Sequence, residues 1–217
     1  TDFGKKVIAE MNRLGIMVDI SHVSDDAFYQ TLEVTKVPAI ASHSSCRTFT
    51  PEFERNVDDA MLKKLAENEG VIMINFGSTF ISKTAREHSD TRWKAVKAFK
   101  ESKKVEASDE EIKAFKKSYD AKHPFPFASV SVVADHIDHV VKTVGIDHVG
   151  LGSDFDGVGD SLPTGLKDAS MYPNLITELL NREYSEVDIE KICSGNVLRV
   201  WSAVEAYAVK AASDTVQ

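Results

Sequence analysis

The sequence predicts an α/β fold with parallel strands, and two observations carry that reading. Four short apolar runs, at residues 16–20 (IMVDI), 38–41 (PAIA), 71–76 (VIMINF) and 148–151 (HVGL), are rich in Val, Ile or Met and too short for helices. Each therefore reads as a strand buried on both faces. Amphipathic helical patterns separate them, and strand–helix alternation implies parallel neighbours joined by right-handed crossovers.

The elements follow in order. The chain opens on TDFGKKVIAEMNRLG, where Val7, Ile8, Met11 and Leu14 share one helical face. After the first predicted strand, Ser24-Asp25-Asp26 caps a helix that runs to about Thr35. After the second, Val57-Asp58-Asp59 opens a helix with its stop at Gly70. From Lys83 to about His123 the rhythm breaks into a long, charged, helix-prone stretch whose apolar teeth are Trp93, Val96, Phe99, Ile112 and Phe115. It ends at the breaker HPFPF, so a helical insertion is expected over about 83–127. A membrane-surface helix is disfavoured there because acidic and basic residues are mixed. Ser129 to Gly145 forms the next helix, with Val132, Val133, His136, Ile137, Val140 and Val141 as its apolar face. Two more helical patterns fill residues 172–208, and SEVD at 185–188 is a capping sequence for the second. No repeat, low-complexity tract or linker divides the chain, so residues 1–217 read as one domain.

Bulk properties exclude some functions. A net charge of −8 gives no general attraction to nucleic acid or to anionic membranes. No apolar stretch is long enough to span a bilayer. Cys46 and Cys193 form no CxxC pair, so neither a disulfide framework nor a cysteine zinc site is indicated, and the compartment stays unknown. The chain starts without Met and already inside a helical pattern, which is the expectation for a segment of something longer.

Three predicted strands end in polar residues: Ser21-His22, Ser42-His43 and Ser153-Asp154. In parallel α/β folds, above all in barrels, such positions converge on one face. Imidazole and carboxylate are ligands zinc prefers, and a bound divalent metal lowers the pKa of water. Singly, each histidine reads more often as a hydrogen-bonded structural residue than as a ligand, and Asp154 as a cap of the segment after its strand. Three in equivalent positions favour a site.

LGIMVDISHVS, PAIASHSS, RNVDDAMLKKL, VADHIDHVVKTVGIDHVGLGSDFDGV and GNVLRVW, in that order, resemble the membrane (renal) dipeptidase family of zinc metallopeptidases. The resemblance reaches from the first residues to about Glu205. It implies a (β/α)8 TIM barrel with a binuclear Zn2+ site, hydrolysing dipeptides through a metal-activated water. By the same resemblance His22 and His43 match two zinc-ligand histidines, and Arg55 matches the arginine that contacts the substrate carboxylate. Asp154 matches the acid that handles protons. Asp156 reads as ordering the following loop through Gly157, and Arg47 is the alternative carboxylate binder, because the loop from His43 to Arg55 is slightly long.

The family's site also needs an N-terminal His-x-Asp pair, a bridging glutamate and a further histidine, none of which matches here. The one His-x-Asp present, His136-Ile137-Asp138, lies on a helical face and reads as structural, as do His139 and His148. Four strands are half of eight, so the expectation is the C-terminal half of the barrel, inactive without the other ligands. Two alternatives stand: another amidohydrolase-like metal hydrolase, or a non-catalytic half-barrel acting as a binding or assembly module. A homodimer of the complete enzyme is compatible with the resemblance, and the insertion suits a lid or a dimer contact.

Overall fold

Side-chain alternation along three parallel strands frames the molecule. In the computed structural model, which describes residues 1–103 and 105–214, the order is α1 (Asp2–Leu14), α2 (Asp25–Val34), β1 (Ile40–Ser44), α3 (Asp59–Glu67), β2 (Val71–Ile74), α4 (Ser78–Ile81), α5 (Lys83–Glu101), α6 (Asp109–Lys122), α7 (Val130–Val144), β3 (Val149–Leu151), α8 (Tyr172–Asn181), α9 (Glu186–Glu190) and α10 (Asn196–Asp214). Lys104 in the predicted insertion and residues 215–217 at the end of the predicted domain lie outside the described residues. The sheet order is β1-β2-β3, all parallel. Ile72 and Ile74 point into the main core with Leu62, Leu65, Val133 and Ile137 of α3 and α7. Val71 packs on the opposite face against Val200 and Val204 of α10, beside Met73. Both faces being covered, β2 and β3 are apolar throughout, as the sequence suggested, while β1 turns polar at Ser42.

The run at 71–76 ends as a strand at Ile74 and the run at 148–151 begins as one at Val149, and two further differences bear on the site. Residues 16–20 make a single parallel bridge, Asp19 to Ile40, with Ile20 N–H donating to Ile40 O at 2.8 Å. Pairing stops there because the Asp19 carboxylate takes the Ser21 amide and His22 turns into the left-handed region, φ 64°. The second strand starts at Ile40 and runs on to Ser44, so Ser42 and His43 lie within it rather than after it. Pro38 has no N–H to give a ladder, and the Ala39 amide is taken by Asn68 Oδ1 at 2.8 Å.

The predicted caps form. Ser24 accepts from the Ala27 amide and Asp58 from the Met61 amide, and Ser185 with Asp188 makes a full capping box. The helix expected to stop at Gly70 ends at Glu67, and Glu69 takes the left-handed turn, φ 59°. The insertion is an antiparallel hairpin of α5 and α6. Phe99 stacks on Phe115 at 4.4 Å, Arg92 pairs with Asp120 at 2.6 Å and Lys103 with Glu111 at 2.7 Å. Trp93, expected among its apolar teeth, is instead 64% exposed under Lys97. No helix among the described residues is long and apolar enough to cross a membrane.

At the end of the sheet away from the strand-end histidines, α10 crosses the strand starts. Arg199 donates to Glu69 O and Asp147 O, and Asn196 to Ile146 O and Val149 O. Arg182 ties α8 to α7 through Asp135, Asp138 and Glu178, each at 2.8 Å. Burial works against this cation, and the three carboxylates outweigh it and hold its pKa above the usual arginine value. Arg182→Ala leaves Asp135 and Asp138 facing each other without a counter-ion. We expect it to cost about 2–4 kcal/mol, read as a lowered urea midpoint at unchanged slope.

Candidate functional site

A β-bulge aims His43. Ala41 pairs with Ile72 but Ser44 pairs with Ile74, so β1 carries one extra residue at Ser42-His43. Gly152, just past β3, lies flush against that bulge, and a Cβ there would collide with Ser42 O and Met73 O. The bulge points the His43 ring at His22, which reaches it from the end of the neighbouring segment. The two Nε2 atoms are 2.8 Å apart and the ring centroids 4.8 Å.

Each ring is also held from behind. Arg55 Nε donates to His22 Nδ1 at 3.2 Å. Ser42 Oγ is 2.7 Å from His43 Nδ1 and 2.5 Å from Asp19 Oδ2. Asp19 further accepts from the Ser21 and Ser42 amides, at 2.9 and 3.1 Å. Desolvation pushes the Asp19 carboxyl up, but the Ser42 hydroxyl and those amides outweigh it and hold it below the usual range. His22 is depressed by desolvation, then by the Arg55 cation and by His43, while Asp154 and Asp19 pull it the other way.

Arg55 is half-buried at the centre of this arrangement. It donates to Ser44 Oγ and His43 O, both at 2.6 Å, besides His22. Burial lowers its pKa, opposed by the charges of Asp154 and Asp19. Arg47 is occupied elsewhere: it makes a two-pronged pair with Asp25 and also donates to Asn56 O and Glu54 O. It is a fastener between α2 and the loop, with no fork left for a ligand.

Asp154 follows β3 and adopts φ 59°. Its Oδ2 accepts from Asn75 Nδ2 at 2.8 Å, and Asn75 is itself fully buried and fixed by the Gly77 amide at 2.7 Å. The loop closes on Asp154 rather than on Asp156. The Gly157 amide donates to Asp154 O at 3.1 Å, and a Cβ on Gly157 would strike the Asp154 carboxylate. Asp156 is exposed. Among the described residues, two of the five non-glycine residues with positive φ are thus His22 and Asp154. Such backbone costs on the order of 1 kcal/mol each and is commonest at functional sites.

The four residues expected at the site are therefore neighbours, directly or through their charges. His136 and Asp138 are not among them. His136 Nδ1 accepts from the Cys46 amide and Nε2–H donates to Ile81 O, both at 3.0 Å, while Asp138 is bound by Arg182 and by Tyr184 at 2.8 Å. His139 pairs with Asp59, and His148 with Gly70 O. Asp19, Ser42 as a bonding partner, and Asn75 went unread in the sequence. Their signal was a polar residue inside a buried run: Asp19 in IMVDI and Asn75 in VIMINF.

The donor set fits part of a metal's shell. Two imidazole Nε2 atoms converge, one of them backed by a hydroxyl–carboxylate chain of the kind that orients metal-binding histidines. Among the described residues no group of three or more His, Cys, Asp or Glu forms a metal cluster. The pair alone is two donors, fewer than the four that a zinc ion takes.

Comparison with known proteins agrees on one family. The model of membrane dipeptidase (peptidase family M19) matches residues 1–215. An uncharacterised dipeptidase of Schizosaccharomyces pombe is 39% identical over 209 residues, covering 96% of this chain and 40% of that protein. Mouse dipeptidase 3 is 35% identical over 205 residues, 94% of this chain and 33% of that protein. Among solved structures, the probable dipeptidase PvdM of Pseudomonas aeruginosa superposes with a TM-score of 0.78 at 29% identity, over 96% of this chain and 55% of that one. A Rhodobacter sphaeroides metallopeptidase, solved with a phosphinate mimic of the dipeptide L-Ala-D-Ala, gives 0.70 at 27%, over 94% and 47%. The chain thus spans well under half of these curated relatives and about half of the solved ones.

Proposed function

The chain belongs to the membrane dipeptidase family, and from that premise we propose that it carries part of the site of a zinc-dependent dipeptidase. In this reading residues 1–217 form the second half of a (β/α)8 barrel, with the α5–α6 hairpin inserted. The observation that carries it is the pairing of the His22 and His43 Nε2 atoms across neighbouring parallel segments. The partial match in length supports a site completed by ligands from outside these residues.

His22 and His43 would hold metal, two zinc ions in the complete site. When bound, they supply Lewis-acid polarisation of the peptide carbonyl and a more acidic water. The protein's own groups do the rest. Arg55 has three of its five N–H donors committed, and the remaining two suit the free carboxylate of a dipeptide. That anchor would set chain length, because a longer peptide places no carboxylate there. Asp154, held by Asn75 through one oxygen, keeps the other for proton transfer: it accepts a proton from the attacking water and delivers it to the leaving amine.

The test is zinc content and hydrolysis of Gly-D-Ala measured together in the full-length protein. We expect both in the wild type and neither in His22→Ala or His43→Ala. A double variant that retains zinc and full activity would overturn the reading.

A further inference from the structure

One directed hydrogen-bond chain runs through the site: Arg55, His22, His43, Ser42, Asp19. Its ends fix its direction. A guanidinium only donates, so His22 Nδ1 must accept from Arg55 Nε. A neutral His22 then carries its proton on Nε2 and donates it to His43 Nε2 at 2.8 Å. At the other end an ionised carboxylate only accepts, so the single Ser42 proton goes to Asp19 Oδ2. Ser42 Oγ is then the acceptor for His43, whose proton must sit on Nδ1. Both ends require the same arrangement at His43, and each link in between has one donor and one acceptor.

We propose that Asp19 and Ser42 are positioning residues that hold His43 as its Nδ1–H tautomer, so that Nε2 presents a bare lone pair to a divalent cation. The cation rests on the function proposed above; the tautomer does not. Geometry adds a reason for Ser42 in particular. It sits in the β-bulge that turns His43 toward His22, so the residue that aims the ring also sets its proton. Asp19 in turn is clamped by the Ser21 and Ser42 amides, so the acceptor at the end of the chain cannot swing away without breaking the junction of the two strand segments. His22 has no such backing: its Nδ1 faces a cation. To bind metal through Nε2 it must move its proton to Nδ1 and release Arg55 Nε.

The test begins on the metal-free wild-type protein with ring-nitrogen correlations of His43 by NMR at pH about 8, where imidazoles are neutral. The expected pattern is Nδ1–H with Nε2 unprotonated. Ser42→Ala should shift His43 toward Nε2–H, and Ser42→Thr, which keeps the hydroxyl, should restore the wild-type pattern. A wild-type His43 protonated on Nε2, or a tautomer unmoved in a folded Ser42→Ala, overturns the proposal. Zinc affinity in the full-length protein is the second readout. Ser42→Ala should weaken it about 10–100-fold, with recovery in Ser42→Thr. If the wild type binds no zinc, the metal-site reading fails while the tautomer result still decides this one.

Discussion

Asp154→Asn is expected to lower kcat for dipeptide hydrolysis by about 10²–10⁴-fold, the usual contribution of a positioned general acid–base group, while leaving zinc content unchanged. The expectation follows from how the carboxylate is held. One oxygen is fixed by Asn75, which is buried and locked by the Gly77 amide, so the side chain has little freedom to re-aim. The backbone beneath it is in the left-handed region, closed by the turn to Gly157. An asparagine keeps the shape, tolerates that backbone and can still meet Asn75 after an amide flip. What it loses is the ability to take and return a proton. Equal loss in kcat and kcat/KM, with KM unmoved, is the signature of a transition-state role. Loss of zinc in this variant would instead make Asp154 part of the metal's own support, and undiminished turnover would remove it from the mechanism. Asn75→Ala gives a graded companion. It frees the carboxylate without removing it, so its effect should be smaller and concentrated in kcat.

Much of this was legible in the sequence because strand ends leave a visible mark. Apolar runs of four or five residues followed by Ser-His or, one glycine on, Ser-Asp pointed to His22, His43 and Asp154 as candidates for one face of the sheet. Helix caps were equally readable, since Ser24, Asp58 and Ser185 act through their own side chains three residues ahead. What the sequence hid was register. A bulge is one residue's difference between two strands far apart in the chain, and nothing local in PAIASHSS announces it. Asp19 was hidden for a related reason. Inside IMVDI it reads as a single interruption of a strand, and its partners, the Ser42 hydroxyl and amide, lie 23 residues away. Trp93 erred in the opposite direction. Helical periodicity placed it on the apolar stripe, but α6 covers the face of α5 that carries Phe99, and Trp93 lies off that contact, exposed under Lys97. Arg47 and Arg55 were indistinguishable by spacing, and only their partners separate them.

His136 should make the fold acid-sensitive. Its ring is fully buried, desolvation lowers its pKa from 6.5 to about 4, and the hydrogen bond to Ile81 O and the charge of Asp135 only partly offset this. The sign follows from which state takes the proton. Above pH about 6.5 the imidazole is neutral both folded and unfolded, so it gives stability no pH dependence. Between about 6.5 and 4 the unfolded chain binds a proton that the native state refuses, and stability falls as the pH falls. Taken to pH 4, the loss is about 3 kcal/mol. Carboxylates titrate over part of the same range, so the useful quantity is a difference between proteins. His136→Gln keeps an amide that can accept from Cys46 and donate to Ile81, and it does not titrate. Urea unfolding of both proteins at pH 7 and pH 4 should show the wild type losing about 3 kcal/mol more than the variant. Equal losses would mean that the buried ring takes its proton as readily as an exposed one. The same geometry disposes of His136-Ile137-Asp138 as a metal pair. Both ring nitrogens are engaged with backbone and the carboxylate is engaged with Arg182 and Tyr184, so a metal ion there would have to displace a backbone hydrogen bond of the buried ring and compete with Arg182 and Tyr184 for the carboxylate.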